Sequence, residues 1–278
     1  MTRPVDFPVL GQRIVTAAIL LIVALGALWW LPNRIWSIVT AVVMLIGAAE
    51  WSRLAAFGPG QRIAFIAAVA VSCGAMIGAV EMESVVTGWL FPTIWVGAVV
   101  FWIALALPWL LARWNLRHRG ALAFVGWWVL VPTWLAVARL QEQPALLLML
   151  MAIVWIADTA AYFTGRAFGR RKLAPLVSPG KTWEGVAGAA VCVLVYAVGL
   201  GLFHGSAVSS VTLLVVLALA MGALSIVGDL FESWMKRKAG VKDSGRLLPG
   251  HGGILDRIDG LTASLPLAAL VAGATTLF

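Results

Sequence analysis

The sequence predicts an all-α, polytopic integral membrane protein with about nine transmembrane helices. Three observations support this fold class. Of the 278 residues, 62% are hydrophobic and only 12% are charged, and the mean hydropathy is +0.98. Because a typical soluble domain is about half apolar and about a quarter charged, this composition indicates a lipid environment. Long apolar runs extend along the chain, and basic residues recur between them.

Each apolar run is long enough to cross a bilayer once, since about 20 apolar residues in a helix span the hydrocarbon core. The first run is too long for the apolar part of a secretion signal, so we expect it to be retained as a helix. Residues 85–90 either lengthen the fourth span or lie along the membrane surface. The nine predicted spans are Ile14–Pro32, Ile35–Phe57, Ile63–Val80, Phe91–Leu111, Ala121–Ala138, Ala145–Gly165, Gly185–Phe203, Val211–Gly228 and Leu261–Phe278.

The basic residues predict the orientation, because loops rich in Lys and Arg remain in the cytoplasm. With nine spans and a cytoplasmic N-terminus, all but two of the 20 Lys and Arg residues lie inside; the exceptions are Arg34 and Arg139. We therefore expect a periplasmic C-terminus and a multi-pass location in the inner membrane. This topology also explains the net charge of +8, so no nucleic-acid partner is expected.

Two cytoplasmic segments are more polar than a helical bundle requires. The first comprises residues 166–184, between spans six and seven. The second comprises residues 229–259, between spans eight and nine, and it contains five of the twelve acidic residues: Asp229, Glu232, Asp243, Asp256 and Asp259. A solvated loop with internal charge pairs is one explanation. However, Asp256 and Asp259 are spaced i,i+3, which places both on one helical face.

We expect Asp229, Asp256 and Asp259 to converge from the ends of two helices at the membrane surface. Mg²⁺ prefers hard oxygen ligands and is usually held by one or two carboxylates together with substrate phosphates. Neighbouring Lys and Arg side chains can bind the outer phosphate oxygens. The glycines of His251–Gly253 allow the backbone to approach a phosphate closely. The pattern therefore predicts a magnesium-phosphate site.

The first polar segment contains Ser178-Pro-Gly-Lys181-Thr182-Trp-Glu184 directly before span seven. Lys181 and the start of that helix are suited to bind an anion. In an alternative interpretation, Thr182 only caps the helix and the Lys181 side chain extends to the interface.

Two acidic residues lie within apolar spans, where a charge costs about 2.5 kcal/mol or more. We expect Asp158 to line a polar cavity. Glu50 is expected to form a structural pair with Arg53, one helical turn later.

The chain resembles a known family. Residues 233–259 match, at every specified position, the phosphatidate cytidylyltransferase signature S-x-x-K-R-x4-K-D-x-G-x2-L-P-x-H-G-G-x-x-D-R-x-D. Residues 178–185 are similar to the S-P-x-K-T-x-E-G element of that family, and residues 158–169 to its D-T-x-A-Y stretch. The resemblance covers residues 145–278. It divides the chain into 1–144, with about five spans, and 145–278, a catalytic region with two cytoplasmic loops.

The resemblance implies a homodimer that makes CDP-diacylglycerol and diphosphate from CTP and phosphatidate, with Mg²⁺ bound by Asp229 and Asp256 and K⁺ as a second cation. The candidate catalytic residues are Asp229, Asp256, Asp259, Lys242, His251 and Arg257. The candidate substrate-binding residues are Ser178, Lys181, Thr182, Glu184, Lys236, Arg237, Asp158 and Asp243.

Three other functions are compatible with parts of this pattern. A CTP-dependent polyprenol or dolichol-type kinase would share the many spans and the basic loops but would transfer the γ-phosphate. A cytidylyltransferase for another lipid phosphate would share the chemistry. An anion transporter typically has inverted repeats with broken helices near the middle of the membrane, whereas the polarity here is concentrated at one surface.

Overall fold

The computed structural model describes residues 22–81, 85–245 and 252–275. We number the helices α1–α10 and the strands β1 and β2 in chain order. The described residues form α1 (22–30), α2 (Asn33–Leu54), α3 (Pro59–Glu81), α4 (Val85–Val100), a π-helical turn (Phe101–Ala106), α5 (Leu107–Ala112), α6 (Arg119–Leu140), α7 (Pro144–Phe168), β1 (Lys172–Ala174), β2 (Ser178–Thr182), α8 (Trp183–Phe203), α9 (Val208–Lys238) and α10 (Leu255–Ala274).

Among the described residues, seven helices are long and apolar enough to cross a membrane. They correspond to the second through eighth predicted spans, and the multi-span helical architecture is therefore confirmed. Of the first predicted span, only residues 22–32 are described, and residues 22–30 are helical. The ninth corresponds to α10, which begins with charged residues. Nine crossings thus remain a prediction. The fourth span covers Thr87–Ala112, because residues 85–90 lengthen it.

The helices around the second polar segment extend beyond their predicted ends. Helix α9 continues ten residues past Gly228 to Lys238, and α10 begins at Leu255 instead of Leu261. The extra turns of α9 have an apolar face, on which Phe231 and Met235 are buried. The Phe231 ring contacts Trp102 and Trp109 edge-on, with centroid distances of 5.6 and 5.4 Å. Much of the predicted loop is therefore helical.

A β-hairpin lies between α7 and α8, and the all-α prediction did not include it. Strands β1 and β2 are antiparallel, with Lys172 opposite Thr182 and Ala174 opposite Ser178. Val177, in the turn between them, is buried beside Leu230. This small cluster fixes the hairpin against α9.

Side-chain bonds gather the predicted cytoplasmic segments at one end of the bundle. Arg119 donates to Gln61 at 3.2 Å, and Lys238 donates to the carbonyl of Leu116. At the opposite end, Asn33 donates to Gln141 at 2.9 Å. We call the end that holds Arg119 and Lys238 the charged end. It also carries the hairpin, the end of α9 and the start of α10.

The crossing of α9 and α10 is close because glycine lies on both helices. Gly228 faces the backbone carbonyl of Asp259, and Gly260 faces Ser225. A side chain at Gly228 has no room without moving the backbone of α10. The contact brings the first turn after Gly228, which carries Asp229, alongside Asp259.

We predict that Gly228→Ala destabilises the protein by about 1–3 kcal/mol, because the added methyl group overpacks this crossing. The matched control is Gly222→Ala on the same helix, where the nearest atom lies 4.0 Å from the added carbon. Thermal unfolding in detergent should show a lower midpoint for Gly228→Ala alone. Equal midpoints for both variants would contradict the close crossing.

Candidate active site

A buried lysine joins α9 to α10 at the charged end. The Lys236 ammonium lies 2.6 Å from Asp256 Oδ1 and 2.9 Å from Glu232 Oε2. All three side chains are at most 10% exposed. Breaking such a buried pair is costly because it leaves an uncompensated charge. Lys236 therefore fixes the relative position of the two helices that carry four of the five acidic residues of the second polar segment.

Asp256 also organises the backbone on both sides of residues 246–251. Its Oδ2 accepts hydrogen bonds from the backbone N–H and the hydroxyl of Ser244, each at 2.9 Å, and from the Gly253 N–H at 2.8 Å. With Lys236 on Oδ1, both oxygens of this carboxylate have partners. A cation that binds Asp256 therefore competes with the Lys236 ammonium.

The two polar segments meet through a second ion pair. Lys181 of β2 lies 2.6 Å from Asp229 Oδ2 of α9, and both side chains are about a quarter exposed, at 24% and 28%. This ion pair joins the first polar segment to the second at the charged end. This pair is more accessible than the Lys236 pair and can exchange partners more readily.

Further carboxylates surround Asp229. Asp158 of α7 interacts electrostatically with Lys181 and Asp229. Asp259 interacts in the same way with Asp229 and Asp158. Asp259 Oδ1 accepts a hydrogen bond from the Gly260 N–H at 2.8 Å. Mutual repulsion among these groups favours a bound cation.

The described residues do not contain three acidic, His or Cys side chains arranged to hold a metal by themselves. Mg²⁺ does not require three such side chains, because it usually takes one or two carboxylates and completes its shell with water and substrate phosphate. Each of the two candidate ligands, Asp229 and Asp256, has a lysine ammonium as its counter-charge. The site thus offers hard anionic ligands for a cation and lysines for phosphate, and these residues fit the ion.

Glu232 belongs to this cluster, although it was not among the candidate site residues. Its Oε2 binds Lys236, while its Oε1 is buried without a hydrogen-bond partner among the described residues. The i,i+4 spacing between Glu232 and Lys236 on one helix is the sequence signal that predicts such a pair.

The hairpin residues have local structural contacts. The Thr182 hydroxyl accepts a hydrogen bond from the Gly185 N–H at 3.1 Å and caps α8, as the alternative interpretation predicts. Glu184 Oε2 accepts from the N–H groups of Arg170 and Arg171 at 3.0 and 3.2 Å. Ser178 pairs with a residue of β1. Thr182 and Glu184 therefore shape the hairpin, whereas the Lys181 ammonium contacts Asp229 of α9.

A cavity lies beside the signature. It has a volume of about 420 Å³ and is lined by Lys242, Asp243 and Arg53, among others. Arg237 donates to the carbonyl of Val241 at 3.1 Å. Three of its six lining residues are charged and it is open to solvent, so it is suited to a charged ligand. Arg53 enters it from α2, far from the signature in sequence.

The two remaining candidates are Arg257 and His251. Arg257 is exposed on the first turn of α10. His251 lies outside the described residues, so its role stays a prediction.

The expected pair of Glu50 and Arg53 is wrong. Within the described part of the chain, no ion pair joins them. Glu50 is only 2% exposed and accepts hydrogen bonds from Ser244, Ile254 and Leu255. The tertiary fold directs this carboxylate towards α10, whereas Arg53 lines the open cavity.

Comparison with known proteins extends the resemblance to nearly the whole chain. The model of the cytidylyltransferase family matches residues 11–274. A phosphatidate cytidylyltransferase of Pseudomonas aeruginosa is 40% identical over 264 residues, which cover 94% of this chain and 96% of that protein.

Matches to other phosphatidate cytidylyltransferases are shorter but higher in sequence identity. The protein of Haemophilus influenzae is 53% identical over 124 residues, 44% of this chain and 43% of its own length. That of Brucella suis is 52% identical over 126 residues, 45% of either chain. Because the family match spans both halves of the described bundle, the chain belongs to the cytidylyltransferase family.

Proposed function

We propose that this chain transfers the cytidylyl group of CTP to phosphatidate, giving CDP-diacylglycerol and diphosphate. The names of its relatives support this activity. The observation that carries the proposal is the Lys181–Asp229 ion pair. It joins the two polar segments at one end of a membrane bundle, where a nucleotide from water and a lipid phosphate can meet.

The reaction forms one bond and breaks one bond. A phosphate oxygen of phosphatidate attacks the α-phosphorus of CTP, and the bond from this phosphorus to the bridging oxygen of the β-phosphate breaks. The electron pair leaves with diphosphate. Because the attacking oxygen is already an anion near neutral pH, no strong general base is needed. The barrier comes from repulsion between anions and from alignment, so positioning and positive charge supply most of the catalysis.

The chain's cations are suited to oppose that repulsion. Lys181, Lys242 and Arg257 are proposed to bind phosphate oxygens, with Arg237 and His251 as further candidates. Ser178, Thr182 and Glu184 support the hairpin that presents Lys181, and Asp158 and Asp243 complete the polar lining. Lys236 has a dual assignment, since it is the counter-charge to Glu232 and also contacts Asp256, one of the proposed metal ligands.

Mg²⁺ is the proposed metal, with Asp229 and Asp256 as ligands and Asp259 beside them. When bound, Mg²⁺ neutralises triphosphate charge and makes the α-phosphorus more electrophilic. The support is that Asp229 and Asp256 lie at the charged end and that each contacts a lysine ammonium. K⁺ is proposed as an additional cation.

The cellular setting is also part of the proposal. The charged end faces the cytoplasm, where CTP is available, and the protein lies in the inner membrane as a homodimer. The support for this orientation is the distribution of Lys and Arg, which favours the cytoplasmic side for basic segments. Phosphatidate would reach the site from the inner leaflet.

Position-specific labelling tests the reaction. Purified protein in detergent, given phosphatidate and Mg²⁺, is expected to transfer label to the lipid from α-³²P CTP and not from γ-³²P CTP. Label from the γ-position would instead identify a CTP-dependent kinase. A lipid phosphate other than phosphatidate, supplied in its place, tests the alternative acceptor.

Substitution of the proposed ligands tests the metal. Asp229→Asn and Asp256→Asn should each lower kcat by about 10²–10³-fold, the loss typical of removing one electrostatic stabiliser, and should raise the Mg²⁺ concentration for half-maximal rate. Glu142→Gln, which alters an ion pair at the opposite end, is the matched control. An unchanged Mg²⁺ dependence in both aspartate variants would remove the ligand assignment.

A further inference from the structure

Glu50 is a buried carboxylate that comes from α2, far from the signature in sequence. It is 2% exposed. Its Oε2 accepts hydrogen bonds from the Ser244 hydroxyl at 3.0 Å and the Leu255 N–H at 2.9 Å, and its Oε1 accepts from the Ile254 N–H at 3.0 Å. These donors are separated from Glu50 by about 200 residues of sequence.

These contacts provide the N-terminal cap of α10. The first N–H groups of a helix lack intrahelical partners and are usually capped by a nearby side chain of the same segment. Here the residue before the helix, Ile254, has no capping side chain. Glu50 supplies the missing acceptor from another helix, and its negative charge is favoured at the positive end of the α10 dipole.

The same carboxylate is connected to Asp256 through one hydroxyl. Ser244 Oγ lies 3.0 Å from Glu50 Oε2 and 2.9 Å from Asp256 Oδ2. Gly253 lies between the two acids, and a Cβ at this position would be 2.5 Å from both oxygens of Glu50. The second glycine of the His-Gly-Gly stretch is thus required by close packing against Glu50.

We infer that Glu50 is a positioning residue for cytidylyl transfer: it fixes Ser244 and the start of α10 and so sets the direction of the Asp256 carboxylate. A structural core residue would only support the fold. This carboxylate binds Ser244 and the two residues directly before Asp256, one of the proposed metal ligands, so its loss moves a catalytic group. The activity part of this inference rests on the proposed function.

The test uses Glu50→Gln in the full-length protein. Glutamine has nearly the same shape but places an N–H₂ group where one carboxylate oxygen accepts a hydrogen bond, so one contact becomes repulsive. We expect kcat for CDP-lipid formation to fall about 10–100-fold, as for displacements of about 1 Å from remote changes. The KM for CTP should stay within about threefold, because the effect is on alignment.

Hydrogen exchange supplies a readout that does not depend on activity. Amide exchange in a peptide covering residues 252–258 should accelerate in Glu50→Gln, while peptides from α6 are unchanged. Two controls match the change: Glu142→Gln repeats the chemistry at the opposite end, and Ser52→Ala removes a buried hydroxyl from α2 that bonds only within its own helix. Both should keep wild-type kcat and exchange.

A double-mutant cycle separates positioning from general destabilisation. Ser244→Ala removes the hydroxyl shared by Glu50 and Asp256 but keeps both backbone hydrogen bonds to Glu50. If Glu50→Gln does not fold, Ser244→Ala takes its place as the test variant. The double variant should lose about as much kcat as the more affected single variant, since coupled residues are not additive.

A folded Glu50→Gln protein with wild-type kcat, additive losses in the cycle, or unchanged exchange at residues 252–258 would each overturn the inference. If the wild-type protein forms no CDP-lipid, the proposed function fails instead. The exchange experiment then still decides whether Glu50 holds α10.

Discussion

The structure of the charged end depends on one interaction, the contact of the Lys236 ammonium with Glu232 and Asp256. Two carboxylates from different helices could not be buried together without it, because unpaired charges in an apolar interior are strongly unfavourable. With the Lys236 ammonium paired to both carboxylates, α9 and α10 can cross at a glycine contact and bring Asp229 beside Asp259. The more exposed Lys181–Asp229 pair then attaches the hairpin. The buried pair provides rigidity, and the exposed pair provides a charge that substrate can reach.

The surrounding bundle separates this polar region from the lipid. Aromatic rings of the fourth span contact Phe231 one residue before Glu232, so the charges lie directly against an apolar wall. The π-helical turn lies just before Pro108, which has no N–H to continue the regular hydrogen-bond pattern. Within it, Trp102 donates to the carbonyl of Thr262 on α10 at 3.1 Å. The fourth span is thereby attached to both helices that carry the candidate active site.

The N-terminal helices are part of this construction. The signature itself lies at residues 233–259, although the match to the family begins at residue 11. Yet one hydrophobic core includes buried residues from α2 and α6 together with those of α7, α9 and α10, and Glu50 caps the helix that carries Asp256. The early spans therefore serve as more than a membrane anchor, because one of them supplies a buried acceptor that the signature segment lacks.

The sequence by itself determined the membrane class and seven of the helices, to within a few residues at most ends, and it named Asp229, Lys181 and Asp256 as candidate site residues. Apolar length and a dense signature are local properties, so they can be recognised along the chain. The partners of the charges, the hairpin and the role of Glu50 were decided only by the tertiary structure. Hydrogen-bond partners about 200 residues apart leave no periodic pattern, and the extension of α9 to Lys238 depends on aromatic rings from another span.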